Sequence, residues 1–398
     1  MNTDSKITIN YPALVVTVIY PVIIIILAII YGNKYEIGKF EIISIIATYY
    51  IINISVGVGL HRMWSHGAFK TKAWVEVIFA FITAATLQGP ILAWASDHML
   101  HHKYTDEDKD PHTALKYKNK FVGFLWSHMG WMIFSDTAHK KIDRLALVKL
   151  GKNKVVLWQF KHYWKIAIAM NTIVPMVLGY WIGGDIKHAI SAFIFMGLGR
   201  AIQQQATFCV NSVVHINMGT QKYYYGTARD IWWLFWMLLG ENWHNFHHAF
   251  ASDYRNGHKW HHFDAHKWII AAMHKLGLAT DLVVTSKVRI KSMKEEVQRK
   301  TAAALQNKLE LIENAVAYIH SVALDKLKAT EESAVKLASD FNNNLNILAR
   351  RAKQTLQYVE DLKSRASSLE ESVMLDLYNK YDKLKKAAIK LEIQVGNL

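Results

Sequence analysis

Four apolar runs divide the first two-thirds of the chain, each close to the roughly 20 predominantly apolar residues that a bilayer crossing takes. They are Tyr11 to Tyr31, Ile42 to Leu60, Ile166 to Ile182 and Ala189 to Val210. The first is almost uninterrupted Val, Ile and Leu, and the last is made more polar by Arg200 and Gln203 to Gln205. This pattern predicts an all-α membrane domain over residues 1–285 with four transmembrane helices. A further apolar stretch, Trp74 to Trp94, carries a break at Pro90. It is read as lying in the interface or dipping partway in, because a fifth crossing would put histidine-rich segments on its two sides on opposite faces. Met1 to Ile9 holds only Lys6 as a positive charge, and the apolar block that follows is too long for a cleavable signal peptide.

From Ser286 the pattern changes. Residues 286–398 contain no Pro and one Gly, Gly396, and are rich in Ala, Leu, Glu and Lys, which predicts a helical cytosolic tail. Apolar spacing alternates three and four at Leu309, Ile312, Val316 and Ile319, and again at Val359, Leu362, Ala366, Leu369 and Val373. That is a coiled-coil seam suited to self-association or to docking a partner. A single rod of this length would reach about 165 Å at about 1.5 Å per residue, so a hairpin or small bundle hinged at Asn342 to Asn344 is expected.

The mean hydropathy of +0.05 therefore averages two unlike halves. Charge sets the orientation: the segment between the second and third runs holds about 15 Lys and Arg, and the two short connectors hold about two and one. The positive-inside rule then places the long loop, both termini and the polar chemistry in the cytoplasm. The net charge of +15 suits anionic lipid head groups or an anionic substrate; no nucleic-acid motif accompanies it. Cys209 is the only cysteine, which excludes an internal disulfide framework and thiolate metal sites.

The chemistry lies in histidine. Three clusters, HRMWSH (His61, His66), HMLHH (His98, His101, His102) and HNFHH (His244, His247, His248), each sit beside an apolar stretch. On a helix, positions i, i+3 and i+4 share a face, so each triplet converges, and clustered imidazole binds first-row transition metals. His61 and His66 are five apart, about 140° around an ideal helix, so they reach one site only if the helix ends between them or they serve different metals. Asn211 and His215, at i and i+4, bring a fourth group to the end of the fourth run. His112, His128, His139, His162 and His274 read as lone, locally hydrogen-bonded rings. His258, His261 and His262 form another HxxHH, but they follow Asp253, Arg255 and Asn256 in a stretch read as turn-like and exposed, with a surface or supporting role.

Taken together, GLHRMWSHGAFK, WASDHMLHHKYTDEDKDPH, GFLWSHMGW, NSVVHINMG, GENWHNFHH and LGLATDL resemble membrane fatty acyl desaturases of the stearoyl-CoA desaturase type, over roughly Asn53 to Val283. The resemblance implies four transmembrane helices under a cytosolic cap. It also implies a di-iron centre ligated by His61, His66, His98, His101, His102, His215, His244, His247 and His248, with Asn211 acting through a water. The implied reaction is oxygen-dependent insertion of a cis double bond, delta-9 in type, into a saturated acyl chain. The chain departs from the family where Ser96 and Met99 replace basic residues and where Phe121 and Val122 replace an Arg pair. The carrier is thus open among coenzyme A, acyl carrier protein and a lipid head group, with the coenzyme A thioester favoured over acyl carrier protein. The third cluster begins with His and not Gln, and no haem-binding HPGG occurs, so two electrons must come from a separate cytochrome b-type, ferredoxin or rubredoxin protein.

Breaking an unactivated methylene C–H bond needs a strong oxidant, which nitrogen-ligated iron generates from dioxygen; zinc can replace iron in overexpressed protein. Regioselectivity then becomes a distance between a head-group clamp and the metal. Candidates for the clamp are Trp94, Asp97, Lys118, Lys120 and Trp126. On the second helix, Gly57, Ile54 and Tyr50 lie about 6, 10 and 16 Å from His61, so Gly57 leaves room and Tyr50 closes the end. Two rival readings remain on the same residues: a membrane di-iron hydroxylase or ketolase, and a non-catalytic metal-binding scaffold.

Overall fold

The computed structural model describes residues 8–134, 142–216 and 218–328, with isolated positions beyond. His139, the proposed hinge at Asn342 to Asn344 and the seam from Val359 to Val373 lie outside the described residues. The chain divides into two compact units, Met1–Ser286 and Lys287–Leu398. The described part is almost entirely helical, and its one sheet is a two-stranded antiparallel ribbon of β1, Lys70–Thr71, and β2, Ala279–Thr280.

The apolar runs form helices as their composition requires. Helix α1, Tyr11–Lys34, and α2, Lys39–Ser65, are long and apolar enough to cross a membrane, as is Lys154–Gly183. In α1 the apolar residues run all round, and Val22, Ile25, Ile29 and Ile30 are exposed on the protein surface, which water would penalise and lipid does not. Between them and the third span come α3, Ala73–Ala84, and α4, Ile91–Tyr104. Helix α3 rises only about 18 Å for its 12 residues, well short of a hydrocarbon core of about 30 Å. Pro90 caps the start of α4 and the chain turns before it, with Leu87 and Gly89 at positive φ.

The third apolar run begins earlier than its hydropathy indicates, and Thr172 interrupts it, giving α5, Lys154–Asn171, and α6, Ile173–Gly183. The fourth is one uninterrupted helix, α7, Ile186–Asn211. At its middle Arg200 is fully buried, with its guanidinium 4.4 Å from the Tyr20 ring centroid. The short helix α8, His244–Ala249, and α9, Ala265–Lys275, complete the first unit. In the second, α10, Lys287–Lys328, is a 42-residue helix that carries Leu309, Ile312, Val316 and Ile319.

Candidate metal centre

Nine imidazoles meet in two groups, five from His61, His66, His98, His102 and His247 and four from His101, His215, His244 and His248. Four separate stretches supply them: α2, α4, the turn after α7, and α8. The triplets therefore converge as their spacing predicts, and each is also divided between the groups. His98 and His102, one turn apart on α4, face the first group, while His101 faces the second; on α8, His247 joins the first, and His244 and His248 the second.

His61 and His66 share a group although no ideal α-helix would bring them together. From Ser55 to Ser65 the helix is wound as a π-helix, in which residues five apart stack. The His66 amide donates to the His61 carbonyl at 3.1 Å, and Ser65 Oγ donates to the Leu60 carbonyl at 2.7 Å, both at that wider spacing. The helix ends at Ser65, with His66 as its C-cap, and the two rings are not sent to different groups. A change of winding, which periodicity read at 3.6 residues per turn does not register, aligns them.

The ring nitrogens are spaced for an ion. His61 Nε2 lies 2.9 Å from His247 Nε2, His247 Nε2 lies 3.0 Å from His102 Nε2, and His66 Nε2 lies 2.8 Å from His98 Nε2. In the second group, His244 Nε2 is 3.0 Å from both His215 Nε2 and His248 Nε2, and His101 Nε2 is 3.3 Å from His248 Nε2. Nitrogens bound at right angles to one ion at about 2.0–2.1 Å would sit about 3 Å apart, so the donor set fits a transition metal in each group. Burial, and the neighbouring imidazoles after it, hold His98, His102, His244, His247 and His248 well below the usual histidine pKa, and burial does the same for His101. They stay neutral, as ligands must.

Supporting residues orient these rings from behind. Glu241 places one carboxylate oxygen 2.9 Å from His61 Nδ1 and accepts from His266 Nδ1 at 3.0 Å, Arg62 Nη2 at 3.1 Å and Asn256 Nδ2 at 2.8 Å. Burial alone would raise the Glu241 carboxyl, but His61 and Arg62 outweigh it and hold that carboxyl well below the usual range. Asn245, between the histidines of the third cluster, accepts from the amides of Lys222, Tyr223 and Tyr224 and so pins α8 to that loop. Sequence reasoning missed Glu241, Asn245 and Arg62. All three stand inside quoted motifs, and for Glu241 and Asn245 a carboxylate or amide beside clustered histidines was the available signal.

Several expectations need correction. The segment carrying His258, His261 and His262 is turn-like with His261 exposed, as expected, but Asp253, Asn256 and His262 are buried. His262 stacks on Trp243 at 3.8 Å and His258 on Phe246 at 4.3 Å, so these rings pack under the residues that flank His244 and His247. His112 is not a lone ring; it stacks on His101 at 4.2 Å. His128 bonds Ser212 and Gln205, and His274 donates to the Ala279 carbonyl, as lone rings do. His162 packs beside Trp158.

A Cβ at Gly57 would overlap the His266 ring, so the side-chain space there is filled, while Gly57 itself still lines a small cavity beside His61. Gly57→Ala is expected to displace His266 from Glu241 and to destabilise the protein by about 1–3 kcal/mol, read as a lowered thermal midpoint in detergent. Tyr50 is 36 % exposed and packs edge-on against Tyr49, apart from the cavities described below. Lys116, and not Lys118 or Lys120, sets its ammonium 3.4 Å over the Trp126 ring.

Three cavities share lining residues in series, and the last two border the imidazoles. One of about 430 Å³ is lined by Tyr11, Val16, Phe160, Trp164 and other apolar residues of α1 and α5, and ends at Gln88, Met132 and Phe208. These three also line a cavity of about 40 Å³ with Trp94, Asp97, His98, His112, Thr207 and Asn211. Trp94, His98, Thr207 and Asn211 then border another of about 40 Å³, closed by Asn53, Val56, Gly57, Val210 and Leu238. Gln88 accepts from Trp94 Nε1 at 3.2 Å, while its own buried amide nitrogen has no partner among the described residues.

Membrane-length apolar helices together with paired clusters of imidazoles point to a membrane protein with a histidine-rich site whose donors fit a metal. A family model described as fatty acid desaturase matches residues 42–281, more than half of the chain, and the chain belongs to that family. Among similar proteins, "Probable acyl-CoA desaturase" of Schizosaccharomyces pombe is 35% identical over 243 residues, which cover 61% of this chain and 48% of that protein. Delta-9 desaturase-like 2 protein of Arabidopsis thaliana is 32% identical over 268 residues, 66% of this chain and 82% of that one. Acyl-CoA desaturase 1 of Saccharomyces cerevisiae is 33% identical over 238 residues, 59% and 44%. The chain thus matches about half the length of the two yeast proteins.

Proposed function

We propose that this protein is an oxygen-dependent acyl desaturase that inserts a cis double bond, of delta-9 type, into a saturated chain. The carrying observation is the division of nine imidazoles into groups of five and four at the end of a chain of cavities. His61, His66, His98, His102 and His247 would hold one iron, and His101, His215, His244 and His248 the other, with Asn211 beside them lining both small cavities. When bound, such a pair supplies the oxidising power of dioxygen plus two electrons. One saturated chain, dioxygen, two electrons and two protons become one unsaturated chain and two waters. The electrons come from a separate donor protein.

The chain's own residues position and enclose. An acyl chain enters through the large apolar cavity, whose volume lies in the range of ligand pockets, about 300–1,000 Å³. It passes Gln88, Met132 and Phe208 and meets the imidazoles between Trp94 and Thr207. Trp94 stacks on His98 at 5.0 Å, which fixes one wall of the passage. The unpartnered Gln88 amide is a donor for a carbonyl at the neck. Relatives named for acyl-CoA favour a thioester substrate. On this reading four crossings, by α1, α2, α5 with α6, and α7, return the chain to the side it starts from, and the basic long loop favours the cytoplasm for that side and for the site.

The test is product analysis with purified protein, an electron donor and a deuterated saturated acyl thioester. A double bond with stoichiometric oxygen uptake is expected. An added hydroxyl or keto group would give the reaction to a hydroxylase or ketolase, and protein without metal and without product would leave a scaffold.

A further inference from the structure

The acidic loop between α4 and the following turn, Thr105 to Thr113, belongs to a quoted motif but has no role in the chemistry so far. Its two inward carboxylates reach the same place. Asp110 sets both carboxylate oxygens 3.0 Å from His101 Nδ1. Asp106 accepts from the Thr227 amide at 2.8 Å and from the Thr227 hydroxyl at 2.5 Å, and that hydroxyl lies 2.7 Å from His215 Nδ1. His101 and His215 are two of the four imidazoles of the second group. Each therefore turns its Nδ1–H away from the group and its Nε2 lone pair into it.

The loop is built to hold this arrangement. Asp106 has φ 69°, a left-handed conformation that a residue with a side chain adopts at a cost of order 1–3 kcal/mol. Asp110 stabilises it by accepting from the Asp106 amide at 3.2 Å and, with its other oxygen, from the His112 amide at 3.1 Å. Thr105 Oγ1 donates to the His101 carbonyl at 2.7 Å, tying the loop to α4. Across from it, a Cβ at Gly226 would meet the Tyr224 ring and come 3.0 Å from Asp106 Oδ2, so the position opposite the carboxylate is kept clear.

A divalent ion among four neutral imidazoles has no negative ligand, and burial leaves its charge poorly screened. The geometry points to Asp110 and Asp106, the latter through Thr227, as the positioning residues that make the four-imidazole group a metal site. They fix the tautomers of His101 and His215 and place negative charge directly behind those ligands. The five-imidazole group depends instead on Glu241 behind His61, on a different part of the chain. The two groups should then lose metal independently, which rests on the di-iron reading above.

The experiment is anaerobic titration of the purified full chain with ferrous iron, reading iron equivalents per chain by plasma mass spectrometry after gel filtration. Wild type is expected to retain two equivalents. Asp110→Asn and Thr227→Val should each keep one and bind the other about 10–100-fold more weakly. Thr227→Ser, which restores the hydroxyl in a smaller side chain, should recover two, an outcome that general loosening of the loop would not give. Two equally tight equivalents in Asp110→Asn and Thr227→Val would overturn the loop's role while leaving the desaturase reading in place, as would equal weakening of both equivalents. A wild-type chain that binds no ferrous iron would overturn both.

Discussion

His247→Ala is expected to abolish double-bond formation. His247 is the residue of α8 that reaches the five-imidazole group, where its Nε2 lies 2.9 Å from His61 Nε2 and 3.0 Å from His102 Nε2. Its removal takes one donor from the middle of the set and leaves a void next to the four remaining rings. Metal-dependent oxidation has no slower route through the protein alone, so loss of several kcal/mol of metal-dependent stabilisation corresponds to a fall of about a thousandfold or more. Gas chromatography and mass spectrometry of fatty acids from cells expressing each form give the readout. Unsaturated product above about a tenth of the wild-type level would show that His247 is no ligand. His162→Ala, whose ring packs beside Trp158, should match wild type and controls for expression.

Arg62→Ala should produce the largest loss of stability. Arg62 is 1 % exposed and bridges the residues that carry the site. Its Nη1 donates to the Tyr254 carbonyl at 2.8 Å, and Nη2 lies 3.1 Å from Glu241 and 3.0 Å from Asp264. Asp264 in turn caps α9 by accepting from the Lys267 amide, and it accepts from the Asn256 and Gly257 amides as well. Without the guanidinium, two buried carboxylates lose their counter-charge, a change worth about 3–5 kcal/mol. That is a drop of roughly 6–15 °C in the thermal midpoint for a domain of this size, measured in detergent on protein of equal metal content. Arg62→Lys should fall in between, since an ammonium keeps the charge but cannot span both carboxylates. A midpoint within about 2 °C of wild type for Arg62→Ala would show that the network contributes little.

Much of this was legible in the sequence because its cause is local. A run of Ile and Val such as Tyr11 to Tyr31 is insoluble as a helix unless lipid or protein covers it, whatever the rest of the chain does. The spacing of His98, His101 and His102 puts three rings on one helical face in any fold. Less local features were misread in characteristic ways. At Gly57 a glycine says only what its own side chain omits, and it did not show that His266, more than two hundred residues later, fills the space a Cβ would take. The stretch around His258 read as exposed because Asp253, Arg255 and Asn256 are polar, yet Asp253 and Asn256 are buried, with Arg255 on Asp253 at 2.9 Å and Asn256 Nδ2 on Glu241 at 2.8 Å.

By itself, then, the sequence determined where apolar helices form and which imidazoles stand on their ends, since both follow from residue type and short-range spacing. Only the tertiary structure decided how nine rings divide into five and four, that His61 and His66 align through a π-wound turn, and which carboxylates stand behind them. Those outcomes depend on side-chain directions contributed by four separate segments. The directions become defined only when the helices pack and bury Glu241, Asp110 and Arg62 together with the rings they hold.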